Sequence, residues 1–260
     1  MKFINDNVDF KKLKDNFLDS TPFNHVIIDN FFHDDVADKL AEEFPAFNSD
    51  IWHEYSNPIE VKKACNNWNV FPETTYKVFS YLCSEEFSNN ISHLLNERSS
   101  PDAGLNGGGW HSHRSGGKLN THLDYSIHPK LDLQRKVNII VYMSKDWIPE
   151  WGGSLGLWSH DEEGNSCGEL VKTVDCIFNR AVIFNTTQNS WHGLPEPITC
   201  PEDRTRNSLA AYYVGEANSD ASDRGKALFV PYKDQSKDQS IIDLIEKRSN
   251  VNSASSVYNN

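Results

Sequence analysis

Two short pieces of this sequence carry side chains suited to metal chemistry: His122-Leu123-Asp124 and, far along the chain, His192. Both sit in apolar, strand-like stretches, 119–125 and 189–193. Side chains alternate between the faces of a strand, so His122 and Asp124 are expected on one face, roughly 6.5–7 Å apart along the backbone. A second imidazole from a distant strand completes a triangle of two nitrogens and one carboxylate. That set occupies one face of an Fe(II) ion and leaves the opposite positions open for two reactants. His122, Asp124 and His192 are therefore the candidate metal ligands and the catalytic centre.

A bare His-x-Asp is common, so its surroundings carry weight. Arg204-Thr205-Arg206-Asn207-Ser208 opens a strand-like run that continues to Val214. A guanidinium can hold a carboxylate through two parallel hydrogen bonds. Spacing of i, i+2 puts Ser208 on the same face as Arg206. A metal triad with an anchored carboxylate suggests a chelating 2-oxo acid gripped at its far end. Arg206, with Ser208 assisting, and Arg204 are rival candidates for that anchor.

Over residues 105–215 the chain resembles the 2-oxoglutarate/Fe(II)-dependent oxygenases, in their prolyl 4-hydroxylase-like branch. The matching text runs in one order: Gly116-Gly117-Lys118-Leu119-Asn120-Thr121-His122-Leu123-Asp124-Tyr125, then Arg135-Lys136-Val137-Asn138-Ile139-Ile140-Val141-Tyr142. It continues through Trp151-Gly152-Gly153-Ser154-Leu155 and Ser190-Trp191-His192-Gly193 to Arg206-Asn207-Ser208. The resemblance implies a double-stranded β-helix with helices packed outside. It implies Fe(II), 2-oxoglutarate and O2, and allows ascorbate. It also implies that Tyr142 touches 2-oxoglutarate, with Asn138 on the same face as a further contact and Leu155 as an apolar wall. Arg206 stands farther from the distal histidine than in collagen-type relatives, which carry lysine there, so residues 195–205 are expected to loop out. The reaction implied is hydroxylation of a C–H bond, with 2-oxoglutarate split to succinate and CO2. The branch points to a prolyl residue in a peptide or protein. A free amino acid, a small metabolite, or a non-catalytic jelly-roll binding module remain as alternatives. The presence of Asp124 argues for hydroxylation rather than halogenation.

Gly107-Gly108-Gly109-Trp110-His111-Ser112-His113-Arg114 invites two other readings, a His-x-His metal pair and a Gly-rich phosphate cradle. No Lys-Ser/Thr follows the glycines, so it is no phosphate-binding P-loop. The resemblance places it on the strand before His122, with His111 lining the cavity and Trp110 or Arg114 in reach of substrate.

The elements needed to position these residues are legible in outline. Strands are expected near 118–127, 135–144, 153–159, 169–172, 180–185, 190–193 and 205–214. Many short strands with regular turn signals suggest a jelly-roll sandwich or barrel. Helices are expected at 34–44, 73–83, 85–96 and 240–248, and a strand within 22–32. This divides the chain into a helical support region (1–104), the oxygenase core (105–215) and a polar C-terminal extension (216–260) whose closing Ser-Asn tract is loose.

With 260 residues, 38% apolar and 24% charged, the chain has material for a substantial core. Its net charge of −12, with no Lys/Arg cluster, argues against nucleic acid or an anionic membrane as the ligand. The partner expected is a peptide, protein or small-molecule substrate, and the oligomeric state is open. Five cysteines without a Cys-x-x-Cys pair, and no apolar leader, suggest a reducing, cytoplasmic setting.

Overall fold

The computed structural model describes residues 2–219, 221–250, 252 and 253. Two antiparallel sheets face each other. The larger runs in the order His25–Ile28, Ala181–Asn185, Gln134–Tyr142, Arg206–Gly215, Gly109–His113, Glu60–Cys65, His53–Asn57. The smaller runs Ser166–Val174, Leu155–Asp161, His192–Gly193, His122–Leu123, Leu228–Phe229. This is the jelly-roll expected from the turn-punctuated strands.

Strand alternation gives the larger sheet two different faces. Val137, Ile139 and Val141 point outward with Leu209, Ala211 and Tyr213. There they meet Val36, Leu40, Val78, Phe79, Phe87 and Ile91, the apolar stripes of three helices, Asp34–Glu42, Glu73–Leu82 and Glu85–Leu95. The alternate residues Asn138, Ile140, Arg206, Ser208, Ala210 and Tyr212 face inward and line a cleft between the sheets. Buried on both faces, these central strands read as nearly continuous runs of β-branched, small and aromatic residues.

Several features depart from the sequence expectations. The strand expected over 118–127 is broken: Lys118–Leu119 pairs with Glu60–Cys65 in the larger sheet, whereas His122–Leu123 belongs to the smaller one. Asp124 thus follows the strand instead of lying within it. The hairpin His53–Asn57/Glu60–Cys65 and the helix Phe10–Leu18 had no clear signal. The hairpin is rich in charged and polar residues because one part meets water and another lines the polar cleft.

The polar residues after 215 also contribute to the site. Leu228–Phe229 pairs with His122–Leu123, and the Phe229 ring stacks on His122 at 4.9 Å between centroids. The helix Gln239–Ser249 sets Ile241 and Ile245 against Ile59 and Phe229. Apart from residues 252 and 253, the closing Ser-Asn tract lies outside the described residues. Phe229→Ala is expected to destabilise the fold by about 3–5 kcal/mol, read from the urea midpoint. A loss under about 1 kcal/mol would show that this segment is not part of the core.

Candidate metal centre and 2-oxo acid pocket

The two imidazoles are placed by one ladder. His122 and His192 are directly opposed residues of adjacent antiparallel strands, and opposed residues project from the same face. Their ring centroids are 4.4 Å apart. Each ring is oriented in the same way. His122 Nδ1 lies 2.9 Å from the Asn120 carbonyl and His192 Nδ1 2.8 Å from the Ser190 carbonyl. A carbonyl only accepts, so each Nδ1 carries the proton and each Nε2 lone pair is aimed into the cleft. Asp124 closes the triangle, with Oδ1 3.9 Å from His122 Nε2 and Oδ2 3.8 Å from His192 Nε2. One donor atom from each of the three lies within 4.8 Å of the others.

Electrostatics keep all three in ligand form. Burial pushes the His122 pKa down to about 3, helped by His192, and lowers that of His192 as well. Burial alone would raise Asp124, but Arg135 with the two histidines outweighs it and holds the carboxyl at about 2. Two neutral imidazoles and one carboxylate are what Fe(II) requires. The buried Asp124 Oδ2 has no hydrogen-bond partner among the described residues, a vacancy in its bonding that a cation satisfies. The donor set fits the metal.

Arg135 is the functional residue that sequence reasoning missed. Its Nη1 is 3.1 Å from Asp124 Oδ1 and its Nη2 donates to the Asn106 carbonyl at 2.8 Å. The guanidinium lies between the rings of Tyr125 and Tyr212, 3.6 and 3.5 Å from their centroids, and the side chain is 2% exposed. Arg224 adds a hydrogen bond to the Asp124 backbone carbonyl, 2.8 Å. Arg135 stands between Gln134 and Lys136 at the polar start of its strand, so its neighbours gave no signal, and its partner lies eleven positions back across a turn.

Arg206 opens its strand on the same cleft, 4% exposed. Its Nε donates to the Gly153 carbonyl at 2.6 Å. Gly153 has φ +81°, and a Cβ there would sit 3.0 Å from Arg206 Cδ, so glycine is required to seat the guanidinium. No carboxylate pairs with Arg206 among the described residues. Arg204 is exposed, over the Trp151 ring. Ser208 lies in register with Tyr142 and His111. Tyr142 is fully buried behind Arg206, whose guanidinium is 4.9 Å from its ring; burial pushes the phenol up to about 12. Asn138, Leu155 and His111 line the cleft, as does His113. Trp110 does not: it turns to the outer face against Phe44 and Phe71. Arg114 is exposed over Phe47. Strand alternation explains both, since His111 and His113 take the inner face.

Residues 108–214 match the model of the 2OG-Fe(II) oxygenase superfamily. This stretch of the chain is similar to that superfamily. The matched stretch contains the triad, Arg135 and Arg206. Across 199 residues the chain is 26% identical to the prolyl 3-hydroxylase OGFOD1 of Xenopus laevis, covering 76% of this chain and 36% of that protein. The chain thus spans about a third of that curated relative. Its fold is similar to the crystal structure of a Pseudomonas putida prolyl-4-hydroxylase (TM-score 0.56, 16% identity, 79% of this chain and 98% of that one). It is also similar to a Trichoplax adhaerens prolyl hydroxylase in complex with a hypoxia inducible factor peptide (TM-score 0.52, 16% identity, 79% and 90%). No helix among the described residues is long and apolar enough to cross a membrane.

Substitutions at two positions separate holding the metal from orienting its ligand. Asp124→Ala should weaken Fe(II) binding most. Arg135→Leu, which leaves every ligand in place, should weaken it by about 10–100-fold, and Arg135→Lys by less. Iron affinity by competition with a chromogenic chelator checks this. Wild-type affinity in Arg135→Leu would show that Asp124 needs no such support.

Proposed function

We propose that this protein is an Fe(II)- and 2-oxoglutarate-dependent dioxygenase that hydroxylates a prolyl residue of a peptide or protein. The observation that carries the proposal is the pairing, in one cleft, of a buried metal triad with a buried guanidinium that lacks a carboxylate partner among the described residues. An uncompensated buried charge is costly. A dicarboxylate that chelates the metal at one end and meets Arg206 at the other removes that cost.

In this reading His122, Asp124 and His192 hold Fe(II). Arg206 grips the distal carboxylate of 2-oxoglutarate, Ser208 and Tyr142 flank it, and Asn138 contacts the co-substrate from the neighbouring strand. Leu155 and Ile140 exclude water from its methylene carbons. Bound Fe(II), with O2 and 2-oxoglutarate, supplies the oxidising power: one oxygen atom enters the substrate C–H bond and the other leaves in succinate, with CO2 released. The protein's contribution is geometry, dryness and order. Residues 105–215 form the catalytic unit, with 1–104 as its support and 216–260 as an extension. The relatives' names cite two ring positions, 3 and 4, so the product must be read directly. A free amino acid or small metabolite is the second substrate class.

Succinate release should require Fe(II), O2 and 2-oxoglutarate together. Turnover that persists after chelation and dialysis would overturn the proposal. A proline-containing peptide should gain one oxygen by mass spectrometry, with no halide incorporated. Arg206→Ala should raise the KM for 2-oxoglutarate about 30-fold or more, since truncating one side of a buried charge pair costs about 2–5 kcal/mol. Arg204→Ala should leave KM nearly unchanged. The reverse pattern would reassign the anchor.

A further inference from the structure

The charges of the cleft are out of keeping with the rest of the chain. The whole protein carries −12. Apart from its histidines, the cleft is lined among the described residues by five cations, Lys62, Arg135, Arg206, Lys226 and Arg248, and by two carboxylates, Glu60 and Asp124. Arg135 belongs to Asp124, and Arg206 is assigned to the distal carboxylate of 2-oxoglutarate. Among the described residues, the remaining wall holds Lys62, Lys226 and Arg248 with Glu60, a surplus of two positive charges. Fe(II) and dianionic 2-oxoglutarate cancel each other, so loading the reaction centre does not remove this surplus.

These groups act together and lie near the reaction centre. Buried Glu60 has Lys62 Nζ at 3.0 Å from one oxygen and Arg248 Nε at 3.8 Å from the other. The Arg248 guanidinium lies 5.5 Å from the centre of the Phe229 ring, whose other neighbour is His122. Lys226 has no carboxylate partner among the described residues. Burial first, and then repulsion from Arg248, lower its pKa. Holding Glu60 accounts for two of the three cations and leaves Lys226 unexplained.

The four residues share one further property. Glu60 and Lys62 come from the hairpin before the oxygenase stretch 108–214, and Lys226 and Arg248 come from the segment after it. The triad and Arg206 lie within that stretch. Parts of the chain outside the shared stretch therefore add a cationic wall to the catalytic cleft. A cleft lined by one sign of charge focuses its field and raises the local concentration of opposite charge.

We propose that this wall selects an anionic substrate, one that presents a carboxylate next to the C–H bond to be hydroxylated, received by Lys226 and Arg248 with Lys62 behind them. The inference rests on the oxygenase reading above and specifies its substrate class. The carboxylate belongs either to an acidic side chain flanking the target in a peptide or to a free amino acid.

The test uses the full chain with Fe(II) and saturating 2-oxoglutarate under argon, so that binding is read without turnover. The visible absorption of the Fe(II)–2-oxoglutarate chelate is recorded before any probe is added; its absence would count against the oxygenase reading itself. Two fluorescent peptides, Gly-Glu-Pro-Glu-Gly and Gly-Lys-Pro-Lys-Gly, are then titrated by anisotropy, with L-glutamate as competitor. The acidic peptide should bind at least tenfold more tightly, and its affinity should fall with added salt. Lys226→Glu, checked for folding by circular dichroism, should abolish the preference, and Lys226→Arg should retain it. Displacement by L-glutamate at lower concentration than the unlabelled acidic peptide would place the carboxylate on a free amino acid. With the chelate formed, equal affinities, preference for the basic peptide, or no binding of either acidic probe would overturn the inference.

Discussion

The buried carboxylate of Asp124 is the group on which the rest of the site depends. Two imidazoles stand beside it, and burial works against the ionised form of all three. Left alone, the carboxylate would take up a proton and cease to be a ligand. Arg135 prevents this, and its own burial must in turn be supported. The support comes from far apart in the chain: the Asn106 carbonyl accepts from it, and Tyr125 and Tyr212 enclose it. One negative charge thus recruits residues from three stretches of sequence before any metal is considered. A buried pair of this kind adds little net stability, but removing either partner is expensive. Its value lies in fixing one geometry.

The two-sheet architecture makes that geometry affordable. The outer face of the larger sheet is sealed by helices into an apolar core. That core carries the folding energy, so the inner face can be given over to Arg206, Ser208, Asn138 and Tyr212. The smaller sheet supplies both histidines from opposed positions of neighbouring strands. Because both rings bond a carbonyl two residues upstream through Nδ1, the ladder fixes their tautomer as well as their place. Phe229 and the helix behind it close this sheet from the C-terminal side.

The sequence was most legible where the chemistry is local. His122 and Asp124 are two residues apart, and Arg206 and Ser208 share a strand face, so spacing made them candidates and the resemblance over 105–215 singled them out. The strands Gln134–Tyr142 and Arg206–Gly215 are nearly continuous buried runs rich in β-branched and aromatic residues, because one face meets helices and the other the cleft between the sheets. Long-range or irregular features were hidden. Arg135 pairs across a turn, and nothing in its own neighbours names the partner. Asp124 lies just beyond a two-residue strand, where alternation no longer governs direction. The hairpin at 53–65 and the pair Leu228–Phe229 are too polar or too short for periodicity to detect. Those same segments bring Glu60, Lys62, Lys226 and Arg248 to the cleft, so the least readable parts of the chain bear on its selectivity.

The central claim is that one cleft holds a metal at the triad and a dicarboxylate between that metal and Arg206. An anaerobic crystal structure with Fe(II) and 2-oxoglutarate, read by iron anomalous scattering, tests it most directly. The account predicts a single iron peak bonded to His122 Nε2, His192 Nε2 and Asp124, with the distal carboxylate of 2-oxoglutarate against the Arg206 guanidinium. An iron bound elsewhere, or a 2-oxoglutarate whose distal carboxylate does not meet Arg206, would contradict it.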